Sequence, residues 1–142
     1  MVNCILIRHP KEVIISYSKK NKINSVEQLG YPQLKYFFDI IKEKLQLNPV
    51  IIDSSDLLSD PENMLKKICK KINISFYNKM LNWPPGKRDT DGIWGKYWYK
   101  NVESSTGFHK LSYSNLEIPS SYKQIFNESM EYYNYLYKYR LK

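Results

Sequence analysis

Residues 1–20 read MVNCILIRHPKEVIISYSKK, an apolar run that stops at Arg8-His9-Pro10 and continues in a different pattern. Cys4-Ile5-Leu6-Ile7 is continuous rather than alternating, which predicts a strand buried on both faces of a parallel sheet. Pro10 suits the first turn of a helix, where its missing N–H has no partner to lose. Val13, Ile14 and Tyr17 then recur at helical spacing between Lys11 and Lys20. The stretch predicts a strand, a short loop and a helix.

The same alternation of patterns continues outward. From Gln33 to Leu47, Leu34, Phe37, Phe38, Ile41 and Leu45 form the apolar stripe of an amphipathic helix. Pro49-Val50-Ile51-Ile52 gives a second apolar run ending at Asp53, read as a second parallel strand. Asp60-Pro61-Glu62 carries an N-cap, a first-turn proline and a negative charge that suits the helix dipole. Met64, Leu65, Ile68, Cys69 and Ile72 supply the buried face of that helix. Residues 83–108 turn to Pro, Gly, aromatic and charged residues, a long ligand-facing excursion. Phe126, Met130, Tyr133 and Tyr137 mark a final, Tyr-rich helix. Residues 1–142 therefore read as one α/β domain with neither an internal repeat nor a linker. Two strands alone cannot make a sheet covered on both sides, so a preceding segment or a partner is expected to complete it.

The 142 residues carry 22 Lys+Arg against 14 Asp+Glu, a formal charge of +8, which favours an anionic partner such as a nucleotide, a nucleic acid or a membrane surface. Lysines are spread along the chain, so much of this charge is read as solvated surface. Cys4 and Cys69 have neither CxxC nor His-paired spacing, which points away from a zinc site or a disulfide framework and towards a reducing, cytoplasmic setting. No stretch reaches the roughly 20 apolar residues of a bilayer span, and the first residues lack the pattern of a secretory leader.

In open α/β sheets ligands bind beyond the carboxyl ends of the strands, which singles out Arg8, His9 and residues 53–56. The Arg8 guanidinium would offer five donors to a phosphate, or it would pair with a carboxylate such as Asp53. Ser16 lies mid-helix, where a serine commonly bonds back to the carbonyl four residues earlier, here Glu12. Of the two histidines, His9 could be a second donor to a phosphate but reads better as packing at the strand end, and His109 could face an acceptor cleft but reads better as surface. No catalytic base emerges from the residue pattern.

The combination RHPKEVIISYS, an Arg and a Ser eight positions apart at a strand-to-helix junction, resembles the sulfotransferase motif that holds the 3′-phosphate of 3′-phosphoadenosine 5′-phosphosulfate (PAPS). IIDSSDLLSDPENMLKKICKKINISFYNKMLNWPPG, DGIWGKYWYKNVESSTGF and YYNYLYKYRL are similar, in that order, to segments of the bacterial-type sulfotransferase-like proteins, some of which carry an aminotransferase-like label. The resemblance covers most of the chain. It implies a three-layer, parallel-sheet, P-loop-like fold, with Arg8 and Ser16 on the 3′-phosphate. Lys87-Arg88, followed by Gly92, Trp94 and Lys96, is the nearest equivalent of the family's C-terminal phosphate loop, though it could equally be a solvated turn.

The chain departs from the family in two ways. Ser54-Ser55 stand where better-known sulfotransferases have a Tyr-Glu pair. The glycines at 30, 86, 92, 95 and 107 form no GxxxxGK[ST] loop for the 5′-phosphosulfate. The resemblance thus implies the C-terminal portion of a sulfotransferase-like domain, without the N-terminal strand-loop-helix, whose complete form transfers a sulfuryl group to an unidentified hydroxyl or amine acceptor without a metal. The alternatives are a non-catalytic remnant that associates with itself or needs a completing chain, and a basic nucleic-acid-binding module, the latter disfavoured because no recognised RNA or DNA motif is present. Aminotransferase chemistry would need a pyridoxal-phosphate lysine in a motif that the sequence does not display.

Overall fold

A computed structural model describes residues 2–93, 95, 99–109 and 117–142. Strands β1 (Cys4–Ile7) and β2 (Val50–Asp53) pair in parallel, with Cys4 opposite Val50 and Ile7 opposite Asp53. Between them run α1 (Pro10–Tyr17), a 3₁₀ turn (Val26–Leu29) and α2 (Tyr31–Asp39), which passes into a π-helical turn (Ile40–Lys44). After β2 come α3 (Ser54–Ser59), α4 (Pro61–Ile72), the short α5 (Lys100–Glu103) and the long α6 (Lys123–Tyr137). This is an α/β architecture built on a small parallel sheet.

Local chemistry explains the boundaries. His9 caps α1 by accepting from the Lys11 N–H at 3.3 Å, and Pro10 opens the helix. Gly30, at φ +79°, supplies the left-handed turn between the 3₁₀ segment and α2. Asp60 caps α4 through the Asn63 N–H at 3.2 Å, as its sequence implies. Asn73, at φ 57°, ends α4 in a left-handed cap while Ile74 N–H reaches the Cys69 carbonyl at 2.9 Å.

Helices occupy both faces of the sheet. Ile5, Ile7 and Ile51 pack on one side with Tyr31 and Phe38 of α2 and Tyr133 and Leu136 of α6. Val50 and Ile52 pack on the other side with Met64 and Ile68 of α4. β2 is the inner strand: beyond it the Leu141 N–H donates to the Ile51 carbonyl at 2.8 Å, and Arg140 bridges to Ile51 in parallel.

The two-sided burial expected for the first strand is met only on one face. Ile5 and Ile7 are buried, whereas Cys4 and Leu6 are exposed, Leu6 at 58%. The register places Cys4 and Leu6 on the face of Val50 and Ile52, but α4 covers only the β2 half of that face. The stripe expected on the second helix also needs correction, since Phe37 and Leu45 are both more than half exposed. Phe37 lies about 100° round the helix from the buried Phe38. The π turn, where Leu45 N–H bonds to the Ile40 carbonyl, adds a residue and rotates Leu45 off the stripe.

Tyrosines make the fold sensitive to alkali. Burial raises the pKa of Tyr31 and Tyr133, and burial together with a hydrogen bond to Asp39 pushes Tyr135 up to about 12. A phenol titrates near 10 in the unfolded chain, so the contribution is fully present below about pH 10 and is lost as pH rises through the higher folded values. Denaturant midpoints measured from pH 8 to 11.5 are expected to fall above pH 10. A flat profile there would show that these hydroxyls titrate freely in the folded chain.

Candidate nucleotide site at the strand ends

Arg8 is the first residue beyond β1, and the Ile7–Asp53 register sets it beside the carboxyl end of β2. Its Nε donates to Glu12 Oε2 at 2.8 Å, with the two side chains 34% and 23% exposed. Its main-chain carbonyl accepts from the Tyr31 hydroxyl at 2.7 Å. The arginine is thus anchored at both main chain and side chain, at the place where parallel sheets present ligand-binding groups.

The carboxylate that meets Arg8 is Glu12 and not Asp53, the pairing read as its alternative partner. Asp53 is 1% exposed and otherwise engaged: Oδ1 accepts from the Ser55 and Asp56 N–H groups, capping α3, and Oδ2 accepts from the Tyr133 hydroxyl at 2.8 Å. Tyr133 in turn presents its ring to His9 edge-on, at 5.4 Å between centroids. His9 therefore packs at the strand end, and its Nδ1 is the acceptor of the α1 cap.

Ser16 is exposed on α1, one turn beyond Glu12 and on the same side of the helix. A back-bond from its hydroxyl to the Glu12 carbonyl is absent among the described residues, in contrast to Ser59 and Ser129, which make such bonds within their helices. Arg8 and Ser16 thus belong to one strand–helix unit, with Glu12 between them.

Lys87 and Arg88 lie in a separate loop and are both exposed. Gly86 turns this loop at φ +119°, its N–H donating to the Glu103 carbonyl at 2.7 Å, and Arg88 N–H donates to Asp91 Oδ2 at 3.1 Å. A cavity of about 170 Å³ lies against the loop, lined by Lys87, Arg88, Asp91, Gly92, Gly95 and Glu103. Two carboxylates accompany the two cations, so the loop is not a purely cationic cradle. Trp94 and Lys96 fall outside the described residues. His109 is exposed on the rim of an open groove of about 340 Å³ beside Asp60 and Glu62, in keeping with a surface role. No cluster of metal-ligating side chains occurs among the described residues, and no helix among them is long and apolar enough to cross a membrane.

Sequence reasoning missed Tyr31 and Glu12 as partners of Arg8. Glu12 was detectable, being four residues on with opposite charge. Tyr31, 23 positions away, leaves no local signal.

A family model described as a sulfotransferase domain matches residues 1–139. Among curated proteins, the chain is 33% identical over 132 residues to the branched-chain-amino-acid aminotransferase-like protein 1 of Arabidopsis thaliana, covering 93% of this chain and 23% of that protein. It is 30% identical to the aminotransferase-like protein 2 of the same plant, with the same coverage. The chain thus spans about a quarter of the length of these relatives. No solved structure matches it. With residues 1–139 inside the matched domain, the chain belongs to the sulfotransferase domain family.

Proposed function

We propose that this chain binds the 3′-phosphate of PAPS through Arg8 and Ser16, with Lys87 and Arg88 as a second cationic contribution, and that the complete protein transfers the sulfuryl group to a hydroxyl or amine acceptor. The reading includes a P-loop-like fold in which the 5′-phosphosulfate is held by a segment other than residues 1–142. It rests on one observation: Arg8, anchored by Tyr31 and Glu12, stands at the carboxyl end of a parallel strand with Ser16 exposed on the helix that follows. Guanidinium is the side chain best matched to a phosphate dianion, and a hydroxyl on the next helix adds a donor of fixed position. In the transfer, the bond from sulfur to the bridging oxygen of the 5′-phosphosulfate breaks as a bond to the acceptor oxygen or nitrogen forms, and the acceptor proton passes to a base.

Calorimetric titration with adenosine 3′,5′-bisphosphate and adenosine 5′-monophosphate checks the first step. The bisphosphate is expected to bind at least about tenfold more tightly, and Arg8→Ala to abolish that preference, since a charge-assisted contact contributes about 1.5–3 kcal/mol. Equal affinities in the wild-type chain would rule out a 3′-phosphate site.

A second reading, a non-catalytic unit that needs a completing segment or partner, is favoured by the outer edge of β1. No strand pairs with that edge among the described residues, and Leu6 and Cys4 are exposed beside it. Strand edges of this kind, without Lys or Pro to blunt them, pair readily. Sedimentation velocity on the isolated chain should then show association that Leu6→Lys suppresses. A compact monomer at all concentrations would count against it. Binding to random-sequence RNA with a steep salt slope would reflect only the charge of +8.

A further inference from the structure

Among the described residues, Tyr31 and Glu12 hold Arg8, and neither carries any part of the arginine–serine motif. The Tyr31 hydroxyl donates to the Arg8 carbonyl at 2.7 Å from a side chain only 2% exposed, at the start of α2. A phenol is protonated across the physiological range, and burial raises this one further, against the pull of the Arg8 charge. At the other end of the residue, Glu12 accepts from Nε at 2.8 Å. A partly exposed pair four residues apart adds little to stability. What it does is orient: a bond to Nε fixes the plane of the guanidinium, whose terminal nitrogens form the opposite end of the fork.

We infer that Tyr31 and Glu12 are positioning residues for Arg8, Tyr31 setting its main chain at the strand end and Glu12 the plane of its guanidinium, so that selectivity for a 3′-phosphate depends on both. The inference rests on the proposed role of Arg8. It also has a distinctive sign. A carboxylate beside an arginine weakens anion binding electrostatically, so a Glu12 that merely neutralised Arg8 would, on removal, tighten phosphate binding. A Glu12 that orients Arg8 would, on removal, loosen it.

The wild-type chain, Arg8→Ala, Tyr31→Phe, Glu12→Gln and Glu12→Ala are titrated with adenosine 3′,5′-bisphosphate and with adenosine 5′-monophosphate, each variant being checked by thermal melting. Tyr31→Phe and Glu12→Ala are expected to lower the ratio of the two affinities about tenfold, or about 1.4 kcal/mol, with monophosphate affinity unchanged. Glu12→Gln retains an acceptor oxygen and should keep most of the ratio. A wild-type ratio in Glu12→Ala, tighter bisphosphate binding by it, or equal weakening of both nucleotides would overturn the inference. Should Tyr31→Phe fail to fold, the Glu12 variants, altered at a partly exposed helical position, decide the matter. A wild-type chain without 3′-phosphate preference removes the reading of Arg8 and this inference with it. A preference lost in Arg8→Ala but kept in Tyr31→Phe and Glu12→Ala removes only the inference.

Discussion

Asp53→Ala is expected to destabilise the folded chain by about 3–4 kcal/mol in chemical denaturation, the sum of a lost helix cap and of buried donors left without an acceptor. The carboxylate is 1% exposed and serves three donors: the Ser55 and Asp56 N–H groups at the start of α3, and the Tyr133 hydroxyl 80 positions away on α6. Its removal unpairs the end of β2 from α6 as well as uncapping α3. Stability of an ordinary domain is about 5–15 kcal/mol, so this one substitution takes a large share. Tyr133→Phe should cost only about 1 kcal/mol, because the acceptor keeps its other two donors. The double variant should then cost little more than Asp53→Ala alone, a coupling that locates the interaction in this pair. A midpoint for Asp53→Ala within 1 kcal/mol of wild type, read by the same denaturation, would mean that water replaces the lost acceptor.

Phe38→Ala is expected to cost about 3–5 kcal/mol, the range for truncating a fully buried aromatic ring. The ring is 1% exposed between α2 and the C-terminal segment, edge-on to Tyr135 at 5.9 Å and against Tyr139 at 4.8 Å, with the Lys42 ammonium 5.4 Å from its centroid. Truncation opens a cavity and removes the common neighbour of both tyrosines. Phe37→Ala, one position earlier on a side chain 57% exposed, should change stability by no more than about 0.5 kcal/mol. Thermal melts of the two variants check the contrast, and equal effects would show that the α2 stripe is placed wrongly.

The parts of the fold legible in sequence are those governed by local rules. Both strand positions, the first-turn prolines at 10 and 61 and the Asp60 cap occur as read, because each depends on residues close in sequence, though the two-sided burial of the first strand does not. α3 is not legible, since SSDLLS is too short to show a period and its cap is a residue read as the end of a strand. The π turn at Ile40–Lys44, and with it the exposure of Leu45, leaves no signal in the apolar spacing, which placed Phe37 and Leu45 on the buried stripe. In the candidate site, Arg8 stood out because ligands of open α/β sheets bind beyond the carboxyl ends of the strands, and Glu12 was within reach as an opposite charge four residues on. The Tyr31–Arg8 and Tyr133–Asp53 hydrogen bonds join residues 23 and 80 positions apart, and periodicity cannot find such pairs.

The C-terminal segment has a consequence for how such a sheet can grow. Leu141 and Arg140 dock on the far side of β2, and Arg140 is fastened there by its bond to Asp56 at 2.8 Å and by stacking 3.6 Å over Tyr137. Head-to-tail addition of one copy to the next would need both a free β1 edge and a free β2 edge. Among the described residues the second is already taken at Ile51 by residues 140 and 141, so pairing through the β1 edge alone would give a discrete complex rather than an open-ended fibre.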